Sequence, residues 1–303
     1  MLDISALATE QVNPATAAID EMSTMEVLGL INQEDQKVAE AVAQALPAIA
    51  AAIDAVYEKM RAGGRLFYCG AGTSGRLGLL DAAECPPTFS VAPDVVVGLL
   101  AGGAEAFAQA KEGAEDDPAL GKADLQGAGF SPKDVLVGIA ASGRTPYVLG
   151  ALEYANNLQA TTIAIACAEG SPMAQMAQMA QFPITVLPGP EVITGSTRMK
   201  SGTAQKMVLN MISTTVMIKL GKTYGNLMVD VKPTNHKLMR RAVHMVCTAT
   251  GASPAQAEEV LGICDYSPKV AIFMLLADIT DPALAGEILL RNGGKIKSAL
   301  QGM

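Results

Sequence analysis

The stretch Tyr68–Gly78, YCGAGTSGRLG, contains Gly70, Gly72 and Gly75 in the spacing G-x-G-x-x-G. It follows the apolar run RLFYCG and precedes the helical pattern RLGLLDAAE. A glycine loop between a strand and a helix is typical of folds that bind a phosphate group at a helix N-terminus. Dinucleotide-binding loops have the same spacing. The stretch therefore predicts an α/β fold with a phosphate-binding turn and leaves the kind of ligand open.

Short apolar runs recur along the chain and are separated by helical patterns. The runs are RLFYCG, VVVGLLAGG, DVLVGIAASG, TTIAIACA and FPITVLPG. Near-continuous apolar runs are typical of strands buried on both faces, and their alternation with helices is typical of a parallel sheet. We therefore predict a three-layer α/β domain with a five-stranded parallel sheet flanked by helices.

Helical patterns lie on both sides of this domain. Apolar residues three or four apart predict a helix over 36–60 that ends at Gly63, after a mostly irregular N-terminal segment. Further helices are predicted over 196–220 and 236–250, and the methionine repeat over 173–181 predicts a helix rather than a metal site. Three later stretches begin with Ser-Pro or Asp-Pro, which is typical of helix starts. The predicted divisions are 1–35, 36–250 and a C-terminal helical subdomain over 251–303.

Composition argues against several partners and sites. The formal net charge of the 303 residues is −8, whereas nucleic acids and anionic membranes require a basic surface, so neither partner is expected. Five cysteines without a C-x-x-C pair and only two histidines argue against a metal site and a disulfide framework. The first residues lack the regions of a signal peptide, and polar residues interrupt the apolar patterns. A cytoplasmic protein without a membrane span is therefore expected.

The residues around the glycine loop argue against a dinucleotide. A dinucleotide site needs an acidic residue at the end of the second strand to bind the ribose. That strand here ends LLAGGAE, with glycines in this place and Glu105 beyond them. The loop carries two hydroxyls and free backbone amides, which suit a phosphate monoester. The predicted phosphate-binding residues of this loop are Gly72, Thr73, Ser74 and Gly75.

A second loop, AASGRTP, repeats this arrangement after the third predicted strand. It places Ser142, Gly143, Arg144 and Thr145 before a helix. Because loops at the carboxyl ends of parallel strands line one ligand crevice, we predict a single phosphate bound from two sides. The alternative is that both loops are tight turns that require glycine for the backbone alone.

Both loops resemble those of the sugar isomerase domain, which binds phosphosugars. The second loop of that domain usually reads S-x-S-G-x-T, and Ala140 replaces its first serine here. The stretch EVITGSTRMKSGTAQK, Glu191–Lys206, resembles the domain's last motif, in which a loop enters a long helix beside the sugar. The resemblance implies four further substrate contacts, namely Glu191, Ser196, Thr197 and Lys200.

Six ordered motifs narrow the resemblance to one family. They are TEQVNP, GAGTSGRLGLLDAAECPPTF, GAEDD, ASGRTPYV, GSTRMKSGTAQK and VKPTNHKL. From residue 9 to the C-terminus they are similar to the N-acetylmuramic acid 6-phosphate etherases. The resemblance implies a lyase that uses water to cleave the D-lactyl ether of the phosphosugar, yielding N-acetylglucosamine 6-phosphate and D-lactate during cell-wall recycling. It also implies a homodimer that needs no cofactor.

The implied reaction needs two proton-transfer groups. The ether is at C3 of the sugar, so removal of the C2 proton next to the open-chain aldehyde allows the C3 oxygen to leave, and water then adds to the alkene. A carboxylate pair with separated pKa values would supply the base and the acid. The family motifs contain Glu84, which Pro86 is expected to leave in the last turn of a helix, and Glu115.

The roles of the two glutamates follow from their expected surroundings. A helix C-terminus and burial both disfavour the charged form of Glu84, so we expect it to be the acid that protonates the lactate oxygen. Glu115 is then expected to be the base at C2, and the two roles remain open to exchange. The implied phosphate and carboxylate need positive partners, which the sequence does not rank: Arg76, Arg144, Arg198 and Lys200.

Three other functions compete with the etherase, and one of them, a dehydrogenase, is disfavoured because the second strand lacks the acidic residue that a dinucleotide needs. The likeness extends to the glucokinase regulatory protein, so a phosphosugar sensor without catalysis is one alternative. An aldose–ketose isomerase would use the same fold and a carboxylate base, and a dehydrogenase would use the glycine loop. The presence of Glu84 and Glu115 favours the etherase.

Overall fold

The structure, a computed structural model, describes residues 8–109, 111, 113–175, 180–231, 233 and 235–303. The strands in this part are β1 (Leu66–Gly70), β2 (Val96–Leu100), β3 (Val135–Ile139), β4 (Thr161–Ala166) and β5 (Phe182–Thr185). The helices are α1 (Thr24–Arg61), α2 (Gly72–Phe89), α3 (Glu105–Ala108), α4 (Pro118–Gly127), α5 (Pro146–Asn157), α6 (Pro172–Gln175), α7 (Lys200–Lys219), α8 (His236–Thr250), α9 (Pro254–Ile263), α10 (Pro268–Ala277), α11 (Pro282–Arg291) and α12 (Ile296–Gln301). Part of the methionine repeat over 173–181 lies outside the described residues.

The chain divides into two compact units. The α/β unit comprises Met1–Ala83 and Asp94–Ser213, and the helical unit comprises Glu84–Pro93 and Thr214–Met303. These limits differ from the boundaries predicted at residues 36 and 251, which stay a prediction.

The sheet of the α/β unit is fully parallel and has the strand order β2-β1-β3-β4-β5. Every residue of β1, β3 and β4 is buried, as their near-continuous apolar runs predict. The predicted five-stranded parallel sheet is therefore confirmed. Strands β1 and β3 are direct neighbours, so the two loops that carry the predicted phosphate contacts begin side by side.

A buried ion pair joins β1 to β3 at their amino ends. Asp134 is 2% exposed and accepts hydrogen bonds from Arg65 Nη2 at 2.9 Å and from the Arg65 amide at 2.9 Å. Burial alone would raise the pKa of Asp134, but these bonds and those from Ser131 outweigh it and hold the pKa below its usual value. The Asp134 carboxylate therefore holds the amino ends of β1 and β3 together, at the ends opposite to the two glycine loops.

Helix α1 is longer than predicted because its start is capped. Ser23 and Glu26 form a capping box, so the helix begins at Thr24 instead of near residue 36. By length and composition α1 could cross a membrane, and so could α9 and α10 taken together. One face of α1 is buried and packs against β4 and β5, as in a core helix.

Helix α2 corrects the expectation that Pro86 and Pro87 end it. The helix continues to Phe89, and the Ser90 amide closes its last turn on the Pro86 carbonyl at 2.9 Å. Proline removes an amide donor and crowds the preceding turn, so both residues weaken the helix. Burial of Cys85 and Phe89 offsets that loss. Glu84 therefore lies before the last turn of α2 rather than within it.

The helical unit has its own apolar core, to which α8, α9, α10 and α11 contribute Val246, Leu261, Phe273 and Leu289. The side chains of Ser253, Ser267 and Asp281 cap the starts of α9, α10 and α11, which confirms the helix starts predicted from Ser-Pro and Asp-Pro. Helix α12 is an additional element that was not predicted.

Candidate functional site

A pocket of about 460 Å³ opens in the α/β unit at the carboxyl ends of β1 and β3. This position is the one at which open parallel sheets bind ligands. The residues that line it are Glu10, Ala71, Gly72, Thr73, Ser74, Glu115, Asp116, Ala140, Ala141, Ser142, Arg144, Thr145, Pro146 and Thr197. The pocket therefore brings both predicted loops together around one volume.

The glycines of the first loop allow α2 to start very close to β1. A Cβ atom on Gly75 would lie 2.3 Å from the Gly70 carbonyl oxygen, and Gly72 has a φ of +52°. The amide groups at the start of a helix have no acceptor within the helix. The loop thus directs these amides and the positive end of the helix dipole into the pocket.

The two hydroxyls of this loop have different surroundings. Thr73 and Ser74 both line the pocket, but Ser74 is only 8% exposed and its hydroxyl donates to Gln205 Oε1 at 2.9 Å. Gln205 is itself buried, and its Nε2 group has no partner among the described residues. Sequence reasoning missed Gln205, although it lies in the motif GSTRMKSGTAQK.

The second loop places a further hydroxyl pair at the start of α5. Gly143 has a φ of +64°, and an added Cβ atom would lie 2.4 Å from the side chain of Ser171. Ser142 Oγ accepts a hydrogen bond from the Arg144 amide at 3.3 Å. Thr145 is the N-cap residue of α5, but its side chain makes no capping bond. Its hydroxyl is therefore left for a ligand in the pocket.

Two predicted substrate residues have structural partners instead. Glu191 is fully buried and accepts hydrogen bonds from the amides of Lys200 and Ser201, both at 2.9 Å, at the start of α7. Lys200 is 1% exposed, and its Nζ lies 2.6 Å from Glu34 Oε2. Neither residue lines the pocket. The other predicted residues that do not line it are Gly75, Gly143 and Ser196.

The carboxylates of the pocket are not the predicted pair. Glu115 and Asp116, from a short turn before α4, line it together with Glu10. Glu84 does not line this pocket, and its side chain is exposed. Glu10 was missed as a site residue; its signal is the motif TEQVNP, which was used only for the family resemblance.

Four of the described cysteines are buried, and Cys247 is partly exposed. Burial raises the pKa of the Cys167 thiol to about 12, so this thiol stays protonated at neutral pH. Within the described residues, no group of three His, Cys, Asp or Glu side chains is placed to hold a metal ion.

Comparisons with known proteins support the sugar isomerase fold. The model of the glucokinase regulatory protein N-terminal SIS domain matches residues 48–156, and the SIS domain model matches residues 124–215. The phosphoheptose isomerase of Neisseria gonorrhoeae is 17% identical with a TM-score of 0.47, over 63% of this chain and 98% of that one. A likeness at this level carries no argument about function.

Two curated relatives extend over nearly the whole chain. The N-acetylmuramic acid 6-phosphate etherase of Pectobacterium atrosepticum is 56% identical over 99% of this chain and 98% of its own length. The N-acetylmuramic acid 6-phosphate etherase of Halalkalibacterium halodurans is 55% identical over 97% of each chain.

Proposed function

Because the chain belongs to the family of N-acetylmuramic acid 6-phosphate etherases, we propose that it cleaves the D-lactyl ether of N-acetylmuramic acid 6-phosphate with water. The products are N-acetylglucosamine 6-phosphate and D-lactate. The observation that carries this proposal is that one pocket combines the carboxylate of Glu115 with two hydroxyl-bearing helix starts. Such a pocket can bind a phosphate monoester at the helix starts and place a proton-transfer group beside the same ligand.

The phosphate binds between the starts of α2 and α5. Thr73, Ser142 and Thr145 supply hydroxyls there, and both helix dipoles have their positive ends at the pocket. Ser74 acts indirectly, because its hydroxyl already donates to Gln205. Thr197 also lines the pocket and is available to the sugar hydroxyls.

The reaction proceeds by elimination and addition. The aldehyde of the open-chain sugar makes the C2 proton acidic, so a base that removes it generates an enolate-like species that expels the C3 oxygen. Glu115 is the base at C2, since it is the glutamate of the predicted pair that lines the pocket. Glu84 protonates the departing lactate oxygen; this assignment rests on the family motif, because Glu84 is absent from the wall of this pocket.

Release of free D-lactate from N-acetylmuramic acid 6-phosphate tests the function directly. The purified protein is expected to release it, and Glu115→Gln is expected to lower kcat by about 10²–10⁴-fold because the base is lost. Glu153→Gln, an exposed residue of α5 away from the pocket, is the matched control and should keep the parent rate. In deuterated water, Glu115→Gln should also fail to exchange the C2 hydrogen.

The same assay separates the alternatives. Tight binding without lactate would indicate a sensor, and conversion of a phosphosugar to its ketose without lactate would indicate an isomerase. Either outcome contradicts the etherase. Lactate release at the parent rate by Glu115→Gln would contradict the role of Glu115 alone.

We also propose a homodimer that acts in the cytoplasm. The thiols of Cys69, Cys167, Cys247 and Cys264 form no disulfide, which suits a reducing compartment. Met25 and Leu28, near the start of α1, are 77% and 56% exposed, and apolar side chains of this size often lie in protein interfaces.

A further inference from the structure

The charges of the pocket are unbalanced. Glu10, Glu115 and Asp116 contribute three carboxylates to its wall, and Arg144 is the single cation among the described lining residues. The substrate of the proposed reaction brings two more negative groups, a phosphate and a lactyl carboxylate. In a partly enclosed volume, a second anion needs a positive partner because the carboxylates of the wall repel it.

The other three basic residues of the motif loops do not line this pocket, although Arg76 lines a smaller adjoining cavity that shares Glu115 with it. Arg76 donates to the carbonyl oxygens of Phe107 and Ala106 at 2.9 and 2.7 Å. Lys200 is buried against Glu34, and Arg198 is exposed and outside the lining. The structure therefore favours Arg144 as the residue that pairs with an anion in the pocket, a choice that the sequence left open.

Arg144 is poised to receive an anion. Its Nε group is buried and has no hydrogen-bond partner among the described residues. This buried atom is closed to a ligand in the pocket, so an anion there meets the terminal nitrogens of the partly exposed guanidinium. The terminal nitrogens of a guanidinium form a fork that matches the two oxygens of a carboxylate.

The phosphate does not need this arginine. The starts of α2 and α5 already offer backbone amides and three hydroxyls to the phosphate. We propose that Arg144 binds the lactyl carboxylate through the terminal nitrogens of its guanidinium, and so selects the lactyl-bearing phosphosugar over its product. This inference rests on the proposed function, because the product differs from the substrate in lacking the lactyl group.

The test compares the two sugars on the same variants of the full-length protein. For Arg144→Gln, kcat/KM for N-acetylmuramic acid 6-phosphate should fall about 100-fold, as expected for loss of the charged partner of the carboxylate. The inhibition constant of N-acetylglucosamine 6-phosphate should change less than about twofold, because its phosphate contacts are intact. Retained binding of this product also shows that the variant is folded.

Two further variants sharpen the test. Arg144→Lys keeps the charge but not the paired donors, so it should recover only part of the lost kcat/KM. Arg61→Gln removes an exposed guanidinium that pairs with Glu58 at the end of α1, and it should leave both constants unchanged. A substrate whose lactyl carboxylate is amidated should bind to the parent protein more weakly than the natural substrate does. To Arg144→Gln, the amidated and the natural substrate should bind with the same low affinity.

The outcomes are distinct. If the product's inhibition constant rises together with the loss of kcat/KM, Arg144 binds the phosphate and the proposal is wrong. The proposal is also wrong if Arg144→Gln changes neither kcat/KM for the substrate nor the inhibition constant of the product. If the parent protein releases no lactate, the proposed function fails; calorimetric binding of the two sugars to the parent protein and Arg144→Gln then still decides which anion Arg144 contacts.

Discussion

The ammonium group of Lys200 lies 2.6 Å from Glu34, and both side chains are almost fully buried. Without Lys200, the buried carboxylate of Glu34 keeps only the largely exposed ammonium of Lys37 as a charged partner. Lys200→Met is therefore expected to lower the free energy of unfolding by about 3–5 kcal/mol. The midpoint of urea unfolding measures this loss.

Two variants serve as controls for this prediction. Lys37 also contacts Glu34 at 2.6 Å, but its side chain is 58% exposed, so Lys37→Met should cost no more than about 1 kcal/mol. The double change Glu34→Leu with Lys200→Met removes both buried charges and should recover most of the stability. If Lys37→Met and Lys200→Met lowered the free energy of unfolding equally, burial of Lys200 would not be the cause of the loss.

The same pair gives the protein a sensitivity to acid. Burial alone would raise the pKa of Glu34, but hydrogen bonds from Lys200 and Lys37 hold it below its usual value of about 4.5. A lowered carboxyl pKa stabilises the fold above that pH, and the contribution is lost as the pH falls through the folded-state value. The sequence could not reveal this pairing, because Glu34 lies outside the motifs and 166 residues from Lys200, so the two meet only in the fold.

At the scale of single elements, the glycine loop allows α2 to pack closely on β1. A Cβ atom on Gly75 would lie 2.3 Å from the Gly70 oxygen and 2.6 Å from Leu100 Cδ1. Gly75→Ala should therefore displace the start of α2, lower the free energy of unfolding by about 1–3 kcal/mol and weaken phosphosugar binding. Thermal unfolding and product inhibition measure the two effects.

The matched control is a helical glycine with free space. Gly29 in α1 has no atom within 4 Å of an added Cβ, so Gly29→Ala should stabilise the protein by up to about 1 kcal/mol. Its phosphosugar binding should equal that of the parent. Intact phosphosugar binding by Gly75→Ala would show that the position of α2 does not govern the site.

The elements show which local signals suffice for prediction. The five apolar runs predicted every strand of the sheet, because burial on both faces leaves a pattern that does not depend on distant residues. The end of α2 was predicted wrongly, since Pro86 and Pro87 break helices locally while burial of Cys85 and Phe89 depends on the whole fold. The start of α1 was also missed, although Ser23 and Glu26 give a capping signal in the sequence.

At the scale of the whole molecule, the candidate site was only partly visible in the sequence. Order along a parallel sheet predicts that the loops after β1 and β3 meet, and the pocket confirms that they do. No periodicity indicates that Glu10 joins them, because the N-terminal segment reaches the pocket through tertiary contacts. The sequence also does not show that Arg144 pairs with an anion, because the other basic residues are set aside only by the contacts that they make in the structure.

The position of Glu84 leads to a prediction about the proposed homodimer. Glu115 lines the pocket, whereas Glu84 does not line it and is exposed. We expect the Glu84 carboxylate that completes a site to come from the partner subunit. The protein should then have a mass in solution of about twice 31.3 kDa by light scattering.

Complementation between two inactive variants tests this arrangement. Glu84→Gln and Glu115→Gln, co-expressed with different tags and purified as the mixed dimer, place both substitutions in one site and leave the other site intact. The mixed dimer should therefore release D-lactate at about half of the parent rate, although each variant alone is inactive. If both glutamates of a site belong to one subunit, each site of the mixed dimer carries one substitution, and the mixture stays inactive. That result, or a mass near 31.3 kDa, would assign both glutamates to a single subunit.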